Sequence, residues 1–331
     1  MERLRQKRCH RLKIKHSSNH AGEARVFATF DRAVKRHPGS VLLWREQLAY
    51  AAGVRATKKW RRVMTAALRM HPGDARLWAM AGRKAAGDGD MDRARGVFLR
   101  GCRFCTGDGT LWLEYARCEM EWLARVAAKG PKALVVAAAA EDDADYIRCE
   151  DEGDEDDLDF GDAARIPGSG EGNAGVKFDG EEALEKGKHS PAMDGAIPRA
   201  IFDVARKQPF YSPSTAEAFF DVFAEFTSVP AQPGIVAHVV ASMGETHPDD
   251  PSTASCRVRQ SLVGVDPSSP QFPSALREAL ARLRSATEVT ADQTALAAKT
   301  VAWIEPLLAV EDLDSGLRTV LEHTKRKLAG P

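Results

Sequence analysis

Residues 37–44 read His37-Pro38-Gly39-Ser40-Val41-Leu42-Leu43-Trp44, and residues 71–78 read His71-Pro72-Gly73-Asp74-Ala75-Arg76-Leu77-Trp78. The two stretches lie 34 residues apart, and Trp112 keeps the same interval. Phe30, Met64 and Phe98 hold it too, as do the small residues Ala33, Ala67 and Gly101. Self-similarity at a fixed period of this length marks stacked supersecondary units, none of which can bury its apolar face alone.

Each unit reads as two helices. In the first, Val41, Leu42, Trp44, Leu48 and Ala51 recur at three- and four-residue steps. Gly53, and in the next unit Gly87-Asp88-Gly89-Asp90, mark the turn that follows. The second helix carries Met64, Ala67, Leu68 and Met70, or Ala94, Val97, Phe98 and Gly101. His-Pro-Gly stops it, because proline cannot continue the ladder and disfavours helix in the residue before it. Asp74, and in the following unit Thr110, are placed to cap the next helix. The tryptophans and phenylalanines are expected to fill the inter-helix core, beside a small residue that lets backbones approach. The fold expected is all-α, an α-solenoid.

The 331 residues hold 47 Lys and Arg against 47 Asp and Glu, with 44% hydrophobic residues. That balance hides an asymmetry. Residues 1–126 carry 27 basic and 12 acidic side chains, a net of +15, and the remainder 20 and 35, a net of −15. The first part can therefore attract polyanions. Arg3, Arg5, Lys7, Arg8, Arg11, Lys13 and Lys15 form one basic cluster; Lys58, Lys59, Arg61 and Arg62 form another. Nuclear import or phosphate contacts to RNA are the functions such clusters serve, and a solvated helix surface is the alternative. No aromatic residue interleaves the first cluster, so contacts to RNA would be backbone-directed and weak in sequence preference.

From Glu141 to Asp162 there are 13 acidic residues and one basic residue, and residues 161–195 hold eight glycines. Like-charge repulsion and glycine entropy both oppose folding, so residues 130–193 are expected to be a disordered insertion. Phe202 follows Trp112 by 90 positions, whereas Met64 follows Trp44, and Phe98 follows Trp78, by 20. An insertion of about 70 residues within the third unit accounts for the difference. The chain then divides into a basic N-terminal segment (1–22), repeats (23–129), the insertion (130–193) and a C-terminal region of degenerate helical repeats (194–331). In that last region Phe219 to Phe226, Ile235 to Met243, Phe272 to Leu283 and Thr294 to Leu328 read as helical.

Signals of chemistry are weak. Cys102-Arg-Phe-Cys105 has metal-ligand spacing, but no second pair completes a tetrahedral site. Asp88-x-Asp90-x-Asp92 opens like a calcium loop, yet the sixth position is Arg93 and the twelfth Leu99. There is no HExxH pair, no GxSxG elbow and no GxxxxGK[ST] phosphate loop. No cofactor, metal or small-molecule substrate is expected, and the chain does not read as an enzyme. No run of 18 apolar residues occurs, so no membrane-spanning helix is expected. The basic N-terminus lacks the apolar segment of a secretory signal. Six scattered cysteines read as reduced intracellular thiols.

Trp112-Leu-Glu-Tyr115-Ala-Arg-Cys-Glu119 resembles the Trp-x-x-Tyr-x-x-x-Glu first helix of half-a-TPR repeats, a TPR-like class associated with RNA processing. The first two units have Ala51 and Ala85 in place of the glutamate. The run from Met1 through Trp122 is similar to the U3 small nucleolar RNA-associated protein 6 family. The likeness is carried by Glu2-Arg3-Leu4-Arg5, Ala24-Arg25-Val26-Phe27, Phe30-Asp31-Arg32-Ala33, His37-Pro38-Gly39 with Leu43-Trp44, Ala66-Ala67-Leu68 with His71-Pro72, Asp92-Arg93-Ala94-Arg95, Arg100-Gly101-Cys102-Arg103-Phe104 and Leu111-Trp112-Leu113-Glu114-Tyr115. It covers roughly the first two-fifths of the chain. Set against that family, the chain is expected to lack the start of a helical N-terminal region.

The resemblance implies a non-catalytic scaffold of the U3 ribonucleoprotein and small-subunit processome. Such a protein would sit in the nucleolus and support the processing of pre-ribosomal RNA to 18S rRNA. It would bind other processome proteins, and U3 snoRNA and pre-rRNA indirectly or through weak backbone contacts. The alternatives are a half-a-TPR scaffold in splicing or 3′-end processing, and an RNA-binding module using the basic N-terminal part. On the family reading the repeat core comprises Trp44, Trp78, Trp112, Tyr115, Glu119, Phe30, Met64, Phe98, Ala33, Ala67, Gly101, Pro38 and Pro72.

Overall fold

A computed structural model describes residues 18–129, 194–311 and 313–328. The basic cluster Arg3 to Lys15 and the insertion at 130–193 lie outside them. The described residues form thirteen helices, with no strand among them. They are α1 Ser18–Arg36, α2 Val41–Gly53, α3 Thr57–Met70, α4 Ala75–Gly87, α5 Met91–Phe104, α6 Thr110–Lys129 and α7 Ala196–Ala205. Then come α8 Pro213–Ala224, α9 Gln232–Thr246, α10 Pro251–Arg259, α11 Phe272–Val289, α12 Gln293–Leu308 and α13 Ser315–Leu328. They divide into two compact units, the first ending at Cys105 and the second starting at Thr106.

In the first unit each helix packs on the next, α1 on α2 through to α4 on α5. Asp74 caps α4, accepting from the backbone N–H of Arg76 (2.9 Å) and Leu77 (3.1 Å), and Asp90 caps α5, accepting from Arg93 N–H (2.9 Å). Between α4 and α5 the chain reverses through Gly89 at φ +95°. One period earlier the left-handed residue is Arg55, at φ +57°, and not the nearby Gly53. Trp44, Met64, Ala67, Trp78 and Phe98 are buried, and Phe30 and Ala33 are half-buried. Gly82 leaves room for a ring between α4 and α5: a Cβ there would come within 2.5 Å of the Phe98 side chain.

The prolines follow helix ends as expected, at Arg36 and Met70, but they are not core residues. Pro38 and Pro72 are exposed and lie outside the core, because a ring in the inter-helix turn has nothing to pack beneath. Their carbonyls are what the fold uses. Pro38 O accepts the indole N–H of Trp44 at 3.0 Å, and Pro72 O accepts that of Trp78 at 2.7 Å. A group from the following unit reaches each carbonyl as well: His71 Nε2 lies 2.9 Å from Pro38 O, and Cys105 Sγ–H points at Pro72 O from 3.8 Å. His71 and Cys105 are themselves 34 residues apart. A buried tryptophan usually finds a partner for its N–H, and here the helix-ending turn supplies a carbonyl freed from the ladder. The imidazole of His71 thus serves the preceding proline turn.

In the second unit α6, α8, α10 and α12 form one row in which each packs on the next, while α7, α9, α11 and α13 pack against α6, α8, α10 and α12 respectively. Helix α7 packs on α6 although residues 130–195 separate them in the chain. The row helices start alike. Ser212 accepts from Thr215 N–H, Asp250 from Ser252 N–H and Asp292 from Ala295 N–H. Asp108 accepts from Thr110 N–H, so the cap lies two residues before Thr110, the residue the sequence suggested. Four residues beyond these caps come Trp112, Ala216, Ala254 and Leu296, all buried. Tyr115 and Glu119 are buried in α6.

Two helical expectations change. Helix α10 is absent from the sequence reading, because Ser252, Thr253 and Ser255 are buried in it where apolar residues would signal periodicity. The stretch Thr294 to Leu328 is two helices: Pro306 lacks an N–H in the last turn of α12, and Asp314 caps a fresh start, accepting from Gly316 and Leu317 N–H.

Candidate interaction surfaces

Cys102, Cys105, Cys118 and Cys256 are buried free thiols. Burial, with Cys105 adding to it, pushes the Cys102 thiol up to about 12, and burial does the same to Cys256. Thiols so placed stay protonated at neutral pH and are poor nucleophiles and ligands. Among the described residues no group of three His, Cys, Asp or Glu side chains is placed to hold a metal ion. The three calcium-like aspartates each have other work: Asp88 pairs with Lys84, Asp90 caps α5, and Asp92 pairs with Arg95 at 3.1 Å.

The first unit is cationic. Its described residues hold 18 Lys and Arg against 7 Asp and Glu, a net of +11. Helix α3 opens with Lys58 and Lys59 and has no acidic residue in its first turn, the unfavourable sign for the positive end of a helix dipole. Lys59 is held by Asp31 at 2.9 Å and lies over the Phe27 ring at 5.7 Å, so it serves the fold. Lys58, Arg61 and Arg62 are exposed. Arg61 borders a cleft of about 230 Å³ between α3, α4 and α5, shared with Thr57, Lys84 and Arg93. That volume lies below the range of about 300–1,000 Å³ usual for small-molecule sites.

A second feature repeats along one edge. Met70 ends α3 and Phe104 ends α5, one period apart, and both are exposed, at 50% and 55%. Each follows an exposed arginine, Arg69 or Arg103. Phe104 lies flat on Trp78, with ring centroids 5.8 Å apart at 9°. Single exposed apolar residues need no explanation, but the same cation–apolar pair presented twice at the repeat interval makes an edge suited to contacts.

The second unit is knitted by ion pairs. Glu217 on α8 accepts from Arg259 on α10 (3.0 Å) and from Lys299 on α12, and Asp221 accepts from the other arm of Arg259 at 2.6 Å. The guanidinium covers the Phe220 ring at 4.9 Å. Arg117 on α6 pairs with Glu225 beyond the end of α8. Each link joins helices of the same row, so these charges fix how the row stacks. No sequence signal announces the set, since Glu217 and Lys299 are 82 residues apart.

The chain matches no protein family and no curated protein.

Proposed function

We propose that the chain is a non-catalytic scaffold built of half-a-TPR-type helix pairs. It acts as a subunit of the U3 ribonucleoprotein and small-subunit processome, where it supports pre-rRNA processing to 18S rRNA in the nucleolus. The observation that carries this reading is the structural equivalence of the 34-residue units, in which the same proline carbonyl takes the same tryptophan N–H in successive helix pairs. Repeats of that kind expose long surfaces and work through several modest contacts that add by effective concentration. The residues quoted above for the family, from Ala24-Arg25-Val26-Phe27 to Trp112-Leu-Glu-Tyr115, supply the choice of complex.

A second reading, direct RNA binding by the first unit, draws on its net charge and on Arg103 beside the exposed Phe104, a pairing of cation and stacking surface. Recovery of RNA with the tagged chain separates the possibilities. Enrichment of U3 snoRNA and pre-rRNA is expected; spliceosomal RNA without U3 would move the scaffold to pre-mRNA processing, and no enriched RNA would remove the processome reading. Binding of purified chain to RNA that falls steeply as salt rises would mark the direct mode.

A further inference from the structure

In the second unit α9 and α11 part to leave an open groove of about 770 Å³ whose floor is α10. Its walls are short side chains: Ala237 and Ala241 from α9, and Ala281, Ser285 and Val289 from α11, all exposed, with Val289 at 65%. Ala254 lies in the floor. Small residues on two facing helices let a third helix come close, because little side chain stands between the backbones. Two cations stand in the groove and differ in kind. Arg282 is occupied, donating to Glu278 at 2.6 Å and to the Arg257 carbonyl at 2.9 Å. The guanidinium of Arg257 has no hydrogen-bond or ion-pair partner among the described residues, and it lies against Gly244 so closely that a Cβ there would sit 2.4 Å from Nη2. A glycine thus leaves room for an unpaired, planar cation beside an apolar trough.

We propose that this groove docks an amphipathic helix of a partner protein, its apolar face on Ala237, Ala241 and Val289 and an Asp or Glu at its margin paired with Arg257. The walls are helices and the lining is small and apolar, the setting for helix-in-groove recognition. The guanidinium fork matches a carboxylate through two parallel hydrogen bonds. A nucleic acid would need a run of phosphate contacts, and the groove offers one unpaired cation. The chain's own stretch Glu141 to Asp162 has the charge but lacks an apolar stripe at helical spacing. The inference does not depend on the processome reading and concerns any partner that carries such a helix.

The test is selection from a displayed library of helix-biased peptides of about 18 residues, five turns, on the immobilised full chain, followed by fluorescence anisotropy of the recovered peptides. Recovered sequences should carry apolar residues at i, i+3 or i+4 and i+7 with an adjacent Asp or Glu. Their binding should weaken by about tenfold or more in Arg257→Glu and in Val289→Asp, and stay unchanged in Arg284→Glu, an exposed cation of α11 outside the groove. Helical circular dichroism and melting check each variant, with Arg257→Gln substituting if charge reversal perturbs folding. The proposal fails if no peptide is enriched over the Val289→Asp variant, or if the enriched peptides are basic or lack the period. It fails equally if binding ignores Arg257, or if a peptide of residues 141–162 displaces the others.

Discussion

The proline-carbonyl bond gives a prediction whose size follows from two tryptophans that differ in one respect. Trp78 is buried, stacks on Phe104 and donates to Pro72 O at 2.7 Å. Trp112 is equally buried, but its Nε1 has no partner among the described residues; six residues before it the sequence has Thr106 where the earlier units have proline. Trp78→Phe keeps an aromatic ring to stack and removes the N–H. It should cost about 0.5–1.5 kcal/mol for the hydrogen bond, in addition to the volume term. Trp112→Phe carries the volume term alone. Trp78→Ala should cost about 3–5 kcal/mol, since it also empties the core site. Urea unfolding followed by circular dichroism reads these differences, and in a unit this size each kcal/mol moves the melting temperature by about 4–8 °C. Trp44→Phe should behave like Trp78→Phe. If Trp78→Phe costs no more than Trp112→Phe, the carbonyl bond contributes nothing and the equivalence of the units loses its energetic basis.

Arg55 and Gly89 hold the same left-handed turn position one period apart, so Arg55→Gly should stabilise the chain by about 1 kcal/mol, read as a higher urea midpoint. Glu217→Ala leaves Lys299 unpaired and Arg259 with Asp221 alone; a loss of about 2–3 kcal/mol is expected, less than for a fully buried pair, and an unchanged melting curve would contradict the role given to this network. With its folded value near 12, the Cys102 thiol is ionised to about one part in ten thousand at pH 8, against roughly a quarter for an unfolded cysteine. Iodoacetamide at pH 8 should therefore leave Cys102 and Cys256 unmodified in the native chain and label both in urea, with mass spectrometry locating the adducts.

How much of this was readable in advance depended on where the signal lies in the chain. The Trp–Pro interval exposed the helix pairs of the first unit because bulky and rigid residues mark it in every turn of the pattern. The pattern fades beyond Trp112 for a physical reason: the place four residues after each cap passes from tryptophan to Ala216, Ala254 and Leu296, which are buried equally but carry no mark of their own. Cap residues persist, Ser212, Asp250 and Asp292 standing where Ser40 and Asp74 stand earlier, so the helix starts carry a signal there that the core residues do not. Helix α10 hid behind buried hydroxyls. The proline carbonyls, the network at Glu217 and the groove beside Arg257 all depend on residues brought together across tens of positions, which no local spacing records. Arg55 shows the converse: glycine at 53 drew attention to the turn, and the strained residue was its neighbour two positions on.

If successive helix pairs of the first unit are built alike, the indole protons of Trp44 and Trp78 share one environment, each bonded to a proline carbonyl and shielded from water. A proton–nitrogen correlation spectrum of the full chain, with the indole peaks assigned through the Phe variants, measures this directly. Both resonances should lie downfield of that of Trp112, which has no acceptor among the described residues, and both should exchange slowly with solvent. Resonances for Trp44 and Trp78 at the position of a free indole, exchanging within the dead time, would contradict the repeat.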